Sequence, residues 1–258
     1  MRVGFAESVA YRGEMVVWVL ATTMPLVMVS LWTSVASNGA VTGQNATWTS
    51  ERFVAYFLCI FLVRQLIASW ACWEINFEVR QGMLSMRLLR PIHPVLSYLV
   101  GNIAYMPLRL VVVLPVAVWL VVGPSWSGLS HDWRVWVLWV FSMVGGWAIN
   151  FFANVLIGSL CLFMESSVKL MDVWLAGFFV FSGYLFPLDL FPEWLRWAAT
   201  WLPFRYQIGL PVELMTNVHD FGAALELVAR QWAWVAGFVV TSLGVWRVGV
   251  RRFQAYGG

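Results

Sequence analysis

The side chains that could bind a metal ion or act as nucleophiles are few and far apart in this sequence. The three cysteines lie in apolar runs without the Cys-x-x-Cys spacing of a zinc site: Cys59, Cys72 and Cys161. The histidines are equally isolated, and none has a second ligand at metal-binding spacing: His93, His131 and His219. We therefore expect no metal site, and we expect the cysteines to be small packing residues.

The sequence also lacks a phosphate-binding motif of the kind that nucleotide-binding proteins use. A nucleotide-binding loop of the form G-x-x-x-x-G-K-[ST] needs a lysine after glycine, but the only lysine, Lys169, follows Val168. We expect no cofactor within the chain. The net charge of +3 is also too small to indicate nucleic acid as a partner.

Two arginines stand in apolar stretches, where a charge is costly. Arg64 lies midway along one such stretch, and no acid occupies a comparable position. Arg64 could satisfy backbone carbonyls, meet water or pair with an acid of a partner subunit. It could also line a substrate path and contact an anionic or polar substrate. Arg109 stands nearer to one end of its stretch, and we expect its side chain to extend toward the lipid headgroups.

The composition shows what kind of protein must position these groups. Hydrophobic residues make up 61% of the 258 residues and charged residues only 11%, whereas a soluble domain is about half apolar and about a quarter charged. So much apolar surface does not fit inside one water-soluble core. The arithmetic excludes a typical soluble enzyme, a disordered protein and a nucleic-acid binder, and it predicts an integral protein of the lipid bilayer.

Apolar runs predict six membrane-spanning helices in an all-α fold, because a crossing needs about 20 apolar residues. We treat residues 1–258 as a single transmembrane domain. The predicted spans cover residues of about 15–35, 53–73, 100–122, 135–164, 173–187 and 228–246.

The basic residues orient these spans. Nine fall on one side and five on the other, and the richer side is normally cytoplasmic. The nine include both ends of the chain, so we expect cytoplasmic N- and C-termini. They are Arg2, Arg12, Arg80, Arg87, Arg90, Lys169, Arg247, Arg251 and Arg252.

Three further segments are neither spans nor simple loops. Residues 1–13 alternate apolar and charged positions, which favours an amphipathic helix on the cytoplasmic membrane surface. Residues 80–97 predict a short cytoplasmic helix with a basic face, ended by Pro91 and Pro94. Residues 182–227 are too apolar for a free outer loop, and we expect short re-entrant helices there, between spans five and six.

The order of these segments resembles the ABC-2 type transporter permeases, in the branch of six-helix bacterial exporter subunits with about 260 residues. Three groups of residues carry the resemblance, which covers nearly the whole chain. They are Arg80-Gln-Gly82-Met-Leu84 with Leu88-Leu-Arg90-Pro91, then Ser182-Gly183 to Pro211 with its prolines, and finally Trp246-Arg247 to Tyr256-Gly257.

The resemblance implies a role for two of the segments. The cytoplasmic helix would be a coupling helix that contacts the ATPase subunit through Arg80, Gly82, Met83, Leu84, Arg87, Leu88, Arg90 and Pro91. The re-entrant segment, about residues 187–217, would form an outer gate that includes Pro187, Pro192, Pro203, Phe204 and Pro211.

The resemblance also implies an assembly. Two six-helix permeases would span the bacterial cytoplasmic membrane, and separate ABC ATPase subunits would bind ATP and Mg. The second permease could be a copy of this chain or a related chain, with a heterodimer slightly favoured. The chain would not be an enzyme itself but the permease of an ATP-driven exporter. The alternative is an ATP-independent carrier or channel, and the substrate is not readable from the sequence.

Overall fold

The structure is a computed structural model that describes residues 12–37, 39–44, 47–123, 126, 128–216 and 218–253, with side chains described from residue 23 onward. Of the predicted surface helix at 1–13, residues 1–11 lie outside the described residues. The described helices, numbered in chain order, are α1 (Arg12–Ser37), α2 (Ser50–Ile67), α3 (Ala71–Arg80), α4 (Met83–Leu88), α5 (Pro94–Ala104), α6 (Met106–Val122), α7 (Trp133–Ser159), α8 (Val168–Phe181), α9 (Glu193–Trp201), α10 (Gly209–Met215) and α11 (Phe221–Arg252).

Strands are limited, in the described part, to one small hairpin. β1 (Val41–Thr42) pairs antiparallel with β2 (Thr47–Trp48), and Val41 lies opposite Trp48. This hairpin joins α1 to α2, which pack against each other. The prediction of an all-α membrane protein is therefore confirmed as to class.

Local sequence explains where the long helices begin and divide. The Thr49 side chain accepts a hydrogen bond from the Arg52 amide at the start of α2, and Asp132 does the same for the Arg134 amide at the start of α7. Pro107 stands in the first turn of α6. Because proline lacks an N–H and its ring crowds the preceding turn, the path divides into α5 and α6 at Tyr105.

Four stretches within the described residues are long and apolar enough to cross a membrane: Ser50–Arg80, Pro94–Val122, Trp133–Leu162 and Phe221–Arg252. They contain the predicted second, third and sixth spans and all of the fourth except residues 163–164. The first predicted span lies in α1, where Thr23–Ser37 forms a shorter apolar helix. The fifth begins earlier than predicted, at Val168, and its helix already ends at Phe181. The count of six crossings stays a prediction.

The core lies between α2, α7 and α11. Glycines in α7 allow the backbone of another segment to lie close to this helix. At Gly146, an added Cβ would be only 2.4 Å from the Gln207 carbonyl oxygen, so a larger side chain does not fit there. Gln231 of α11 fills the space over Gly145, and its Nε2 donates hydrogen bonds to the carbonyls of Ser142 (2.9 Å) and Tyr206 (2.7 Å). The segment before α10 is thereby held tightly between α7 and α11.

The paired helices α5 and α6 lie at the edge of this core. In the most apolar 18 residues of α5 and α6 only 11% are buried, whereas 67% are buried in the corresponding part of α2 and α3. Apolar side chains on α6 are exposed along its length, including Leu108, Val111 and Val118. In a membrane protein such a surface meets lipid or another membrane-embedded subunit.

Candidate functional site

The segment between α3 and α5 forms a short helix between two turns. Gly82 separates α3 from α4 with a φ of 70°, a backbone conformation that glycine adopts without strain. Ser85 donates a hydrogen bond from its hydroxyl to the Gly82 carbonyl (2.7 Å). α5 then starts at Pro94, in the first helical turn, where the missing N–H has no intrahelical partner to lose.

One side of α4 faces the protein. Leu84 is fully buried. Arg87 forms salt bridges with Glu78 and, at 3.2 Å, with Glu74 of α3. Tyr98 of α5 donates its hydroxyl hydrogen to the second oxygen of Glu78 (2.6 Å), and the Arg87 guanidinium carbon lies 4.4 Å from the centre of the Tyr98 ring. Arg87 therefore connects α4 to both α3 and α5.

The other side of α4 and the turn after it is exposed and largely apolar. Met86 is 70% exposed and Leu89 is 84% exposed. We call this surface the exposed loop face; it consists of Met83, Met86, Leu89, Arg90 and Ile92. Among the other residues predicted to contact an ATPase, Arg80 and Pro91 are also exposed, whereas Gly82 and Leu88 are partly buried.

The segment from residue 182 to 220 is folded against the core. Gly183, with a φ of 82°, turns the chain after α8, and a Cβ there would lie 2.6 Å from the Tyr56 hydroxyl oxygen. That hydroxyl donates a hydrogen bond to the Gly183 carbonyl (3.0 Å). Of the predicted gate residues, three are buried, Pro192 is exposed and Phe204 is partly buried; the buried ones are Pro187, Pro203 and Pro211.

Three ionisable side chains meet in this segment. Glu213 of α10 is buried, and its Oε2 lies 2.9 Å from Arg205 Nη2 and 2.7 Å from His219 Nε2. Burial alone would raise the pKa of Glu213, but Arg205 and His219 outweigh it and lower the pKa to about 2. The cluster pins the turn before α10 to the turn after it. An open cleft of about 410 Å³ beside the cluster is lined by side chains that include Arg196 and Arg230.

Residues 68–70 interrupt the helical path between α2 and α3, within the stretch predicted as one span at 53–73. Side chains of other helices satisfy the released backbone carbonyls. Asn150 Nδ2 donates to the Ile67 oxygen (2.7 Å), and Arg109 Nη1 donates to the Ala68 oxygen (2.6 Å). Because an unpaired carbonyl in lipid costs several kcal/mol, these donors stabilise a break inside a membrane-length stretch.

Arg109 thus does not extend toward the headgroups as predicted, because the break provides a hydrogen-bond acceptor. Arg64 contacts two uncharged groups, the Tyr184 hydroxyl and the Phe178 ring, whose centre lies 5.4 Å from the guanidinium carbon. In the described part of the chain, no salt bridge joins either arginine to a carboxylate.

Sequence reasoning missed the amides at the break and the partners of Arg87. Asn150 and Asn154 were visible as amides four residues apart, on one face of an apolar helix, where polar side chains usually have a structural partner. The pairing of Arg87 with Glu78 had no such signal, because it crosses the turn at Gly82. No group of three or more His, Cys, Asp or Glu side chains that could hold a metal ion occurs among the residues with described positions.

The long apolar helices, the apolar surface of α5 and α6 and the buried polar contacts between helices define an integral, multi-pass membrane protein. Comparison with protein families identifies it further: the family model described as "ABC-2 family transporter protein" matches residues 16–257. The chain belongs to this family and is a membrane transport component, not a catalytic subunit. Comparison with curated proteins produces no match.

Proposed function

We propose that this chain is the permease subunit of an ATP-driven exporter in the bacterial cytoplasmic membrane. Separate ABC ATPase subunits bind ATP and Mg and dock on the cytoplasmic side. The exposed loop face carries the proposal, because it presents flexible methionines and Leu89 to the outside at the tip of a well-anchored helix. An exposed apolar patch flanked by charges is typical of a protein–protein contact.

The contacts of α4 supply a route for coupling. The Arg87 cluster ties α4 to Glu78 of α3 and to Tyr98 of α5. A displacement of α4 by the ATPase therefore acts on two membrane helices together. α3 begins directly after the break at residues 68–70. Because helical hydrogen bonds are already interrupted there, the chain can change direction at the break without disrupting a continuous helix.

The proposed topology has six crossings, with both termini in the cytoplasm. Arg251 and Arg252 in the last turn of α11 fit that side of the membrane. The fifth crossing continues past the short α8 to about residue 187, because 14 helical residues span only about 21 Å. The folded segment after this crossing is the proposed outer gate, and the cluster around Glu213 holds its two turns together.

The permease works as a pair in this proposal. The exposed side of α5 and α6 leaves surface for lipid and for the second permease subunit. We favour a related, non-identical chain in that position over a second copy. Purification of the assembled complex and mass measurement of its permease subunits separates the two arrangements.

Copurification tests the proposed function. The tagged full-length chain should bring down a protein with a G-x-x-x-x-G-K-[ST] motif, and substrate movement in proteoliposomes should require ATP. Leu89→Asp should abolish copurification, because it places a charge in an apolar contact, whereas Trp194→Asp, an exposed control on α9, should not. Substrate flux without any ATPase would favour the ATP-independent carrier and contradict the proposal.

A further inference from the structure

One cleft beside the proposed outer gate joins charged side chains from three parts of the chain. α9 contributes Glu193 and Arg196, α11 contributes Glu226 and Arg230, and Arg205 lines the cleft from the segment before α10. The cleft has a volume of about 410 Å³, which lies within the range of about 300–1,000 Å³ that is typical of small-molecule sites. It is therefore large enough for an organic ligand rather than a single ion.

Internal salt bridges neutralise part of this lining. Each of the two arginines outside α9 has a carboxylate partner, at 2.5 Å for Arg230 and at 2.9 Å for Arg205. The two charges of α9 differ, because no salt bridge among the described residues includes Glu193 or Arg196. The cleft therefore offers one carboxylate and one guanidinium group to a ligand.

These two charges belong to separate rows of side chains on α9, and both rows line the cleft. Glu193 and Trp197 are four residues apart on one face of the helix, and a carboxylate beside an indole ring attracts an ammonium group. Arg196 and Thr200 form the second row. The Thr200 hydroxyl accepts a hydrogen bond from Arg205 Nη1 (2.9 Å), which brings a second guanidinium group to this row. One row thus suits a cation, and its neighbour suits an anion such as phosphate.

α9 and the first turns of α11 lie at the level of the lipid headgroups in the proposed topology. Three tryptophans of α9 are exposed, Trp194 at 69%, Trp197 at 68% and Trp201 at 59%, and indole rings favour the membrane interface. The stretch Phe221–Arg252 has 32 residues. That is about 48 Å of helix, whereas the hydrocarbon core is only about 30 Å thick. The first turns of α11 therefore extend into the headgroup layer.

Apolar surface continues from the cleft along α11. Ala233 follows Arg230 by one helical turn and is exposed, as are Trp232 and Ala236. A ligand whose polar head lies in the cleft can therefore place apolar chains along this helix, on the side where lipid is expected.

We propose that the cleft between α9 and α11 binds the zwitterionic headgroup of a phospholipid in the outer leaflet. Arg196 donates charge-assisted hydrogen bonds to the phosphate, and the nearby charge of Arg205 adds to the attraction. The ammonium group lies against Glu193 and Trp197, and the acyl chains follow α11. The site rests on the proposed function for its place beside the outer gate, and it adds a lipid that holds the gate helix α9 to α11.

Native mass spectrometry of the purified full-length chain in detergent, with increasing lipid concentration, measures this binding. Phosphatidylethanolamine should bind more tightly than phosphatidylglycerol, which lacks the ammonium group, and more tightly than a trimethylammonium lipid, which lacks the phosphate. Arg196→Gln should weaken binding of phosphatidylethanolamine about tenfold, the loss expected for one hydrogen bond to a charged group, and Arg196→Lys should recover part of it. Glu193→Gln should weaken it about threefold, as expected for an exposed charge pair, without weakening binding of phosphatidylglycerol.

Two controls separate the cleft from general lipid binding and from folding. Arg134→Gln changes an exposed arginine at the start of α7, away from the cleft lining, and should bind all three lipids as the wild type does. The Tm values of Arg196→Gln and Glu193→Gln should equal that of the wild type, because neither side chain takes part in a salt bridge of the described residues.

Several results would overturn the site. They are unchanged affinity for phosphatidylethanolamine in Arg196→Gln, equal binding of the trimethylammonium lipid by the wild type, or an equal loss of both phospholipids in Glu193→Gln. Soluble glycerophosphoethanolamine should not compete at the concentration of the lipid; equal competition would refute a lipid as the ligand. The titration contains no ATPase, so its failure would leave the permease proposal standing, and failed ATPase copurification would leave the binding result standing.

Discussion

Replacing Arg87 should destabilise the protein, whereas replacing Arg90 should leave its stability unchanged. Both arginines were predicted to contact the ATPase, but Arg87 lies on the side of α4 that faces the protein, whereas Arg90 lies in the exposed turn after α4. Arg87 faces Glu78 and has only 19% of its side chain exposed. Arg90 is exposed, and no salt bridge of the described residues includes it.

The size of the Arg87 effect follows from the charge that the mutation leaves behind. In Arg87→Met, the Glu78 carboxylate, whose side chain is 9% exposed, loses its strongest partner. Removal of one member of a buried ion pair costs about 3–5 kcal/mol, and the residual exposure of Arg87 favours the lower end. At about 2–4 °C per kcal/mol, about 3 kcal/mol lowers Tm by about 6–12 °C. Arg90→Met should change stability by less than about 0.5 kcal/mol.

Thermal unfolding of the detergent-purified full-length chain measures these effects. The double variant Arg87→Met/Glu78→Gln removes both charges, so it should recover most of the lost Tm. Copurification with the ATPase should fall in Arg90→Glu even though its Tm is unchanged. Equal Tm values for Arg87→Met and wild type, or no recovery in the double variant, would refute the internal role of Arg87.

Three further predictions concern other parts of the fold. Gly146→Ala should cost about 1–3 kcal/mol by overpacking against the Gln207 backbone, while Gly237→Ala, whose Cβ meets nothing within 4 Å, should not lower Tm. The folded-state pKa of Glu213 is depressed to about 2, so its ionised form stabilises the fold above pH 4.5. This stabilisation is lost as the pH falls from 4.5 toward 2. Between these pH values, the Tm of Glu213→Gln should therefore depend less on pH than the Tm of the wild type. Asn150→Ala should lower Tm, measured in the same way, by removing the donor to a carbonyl at the helix break.

The long helices were predictable because their signal is local. An apolar run of about 20 residues in a chain with few charges has almost no alternative to crossing a membrane, and four stretches of the structure carry that signal. The short helix α4 was also predictable, since Gly82 and Pro91 bound it. The end of α8 at Phe181 was not, because the apolar residues after it fold against Tyr56 rather than continuing the helix.

Long-range contacts explain what sequence reasoning could not supply. The break at residues 68–70 contains neither proline nor glycine, and it exists because Asn150 and Arg109 arrive from other helices to satisfy its carbonyls. The contact of Arg109 with the Ala68 carbonyl likewise depends on the packing of α2 against α6. A sequence pattern shows that Arg64 and Arg109 are unusual in apolar stretches, but only the packing shows what each side chain contacts.

Photo-cross-linking at the exposed loop face tests the central claim most directly. The cross-linking amino acid p-benzoylphenylalanine would replace Met86 or Leu89 in the full-length chain in native membranes, with Trp194 as the exposed control position on α9. The proposed function predicts cross-links from Met86 and Leu89 to a subunit that carries a G-x-x-x-x-G-K-[ST] motif, and none to that subunit from Trp194. Cross-links to such a subunit from Trp194 alone, or to lipid alone from all three positions, would contradict it.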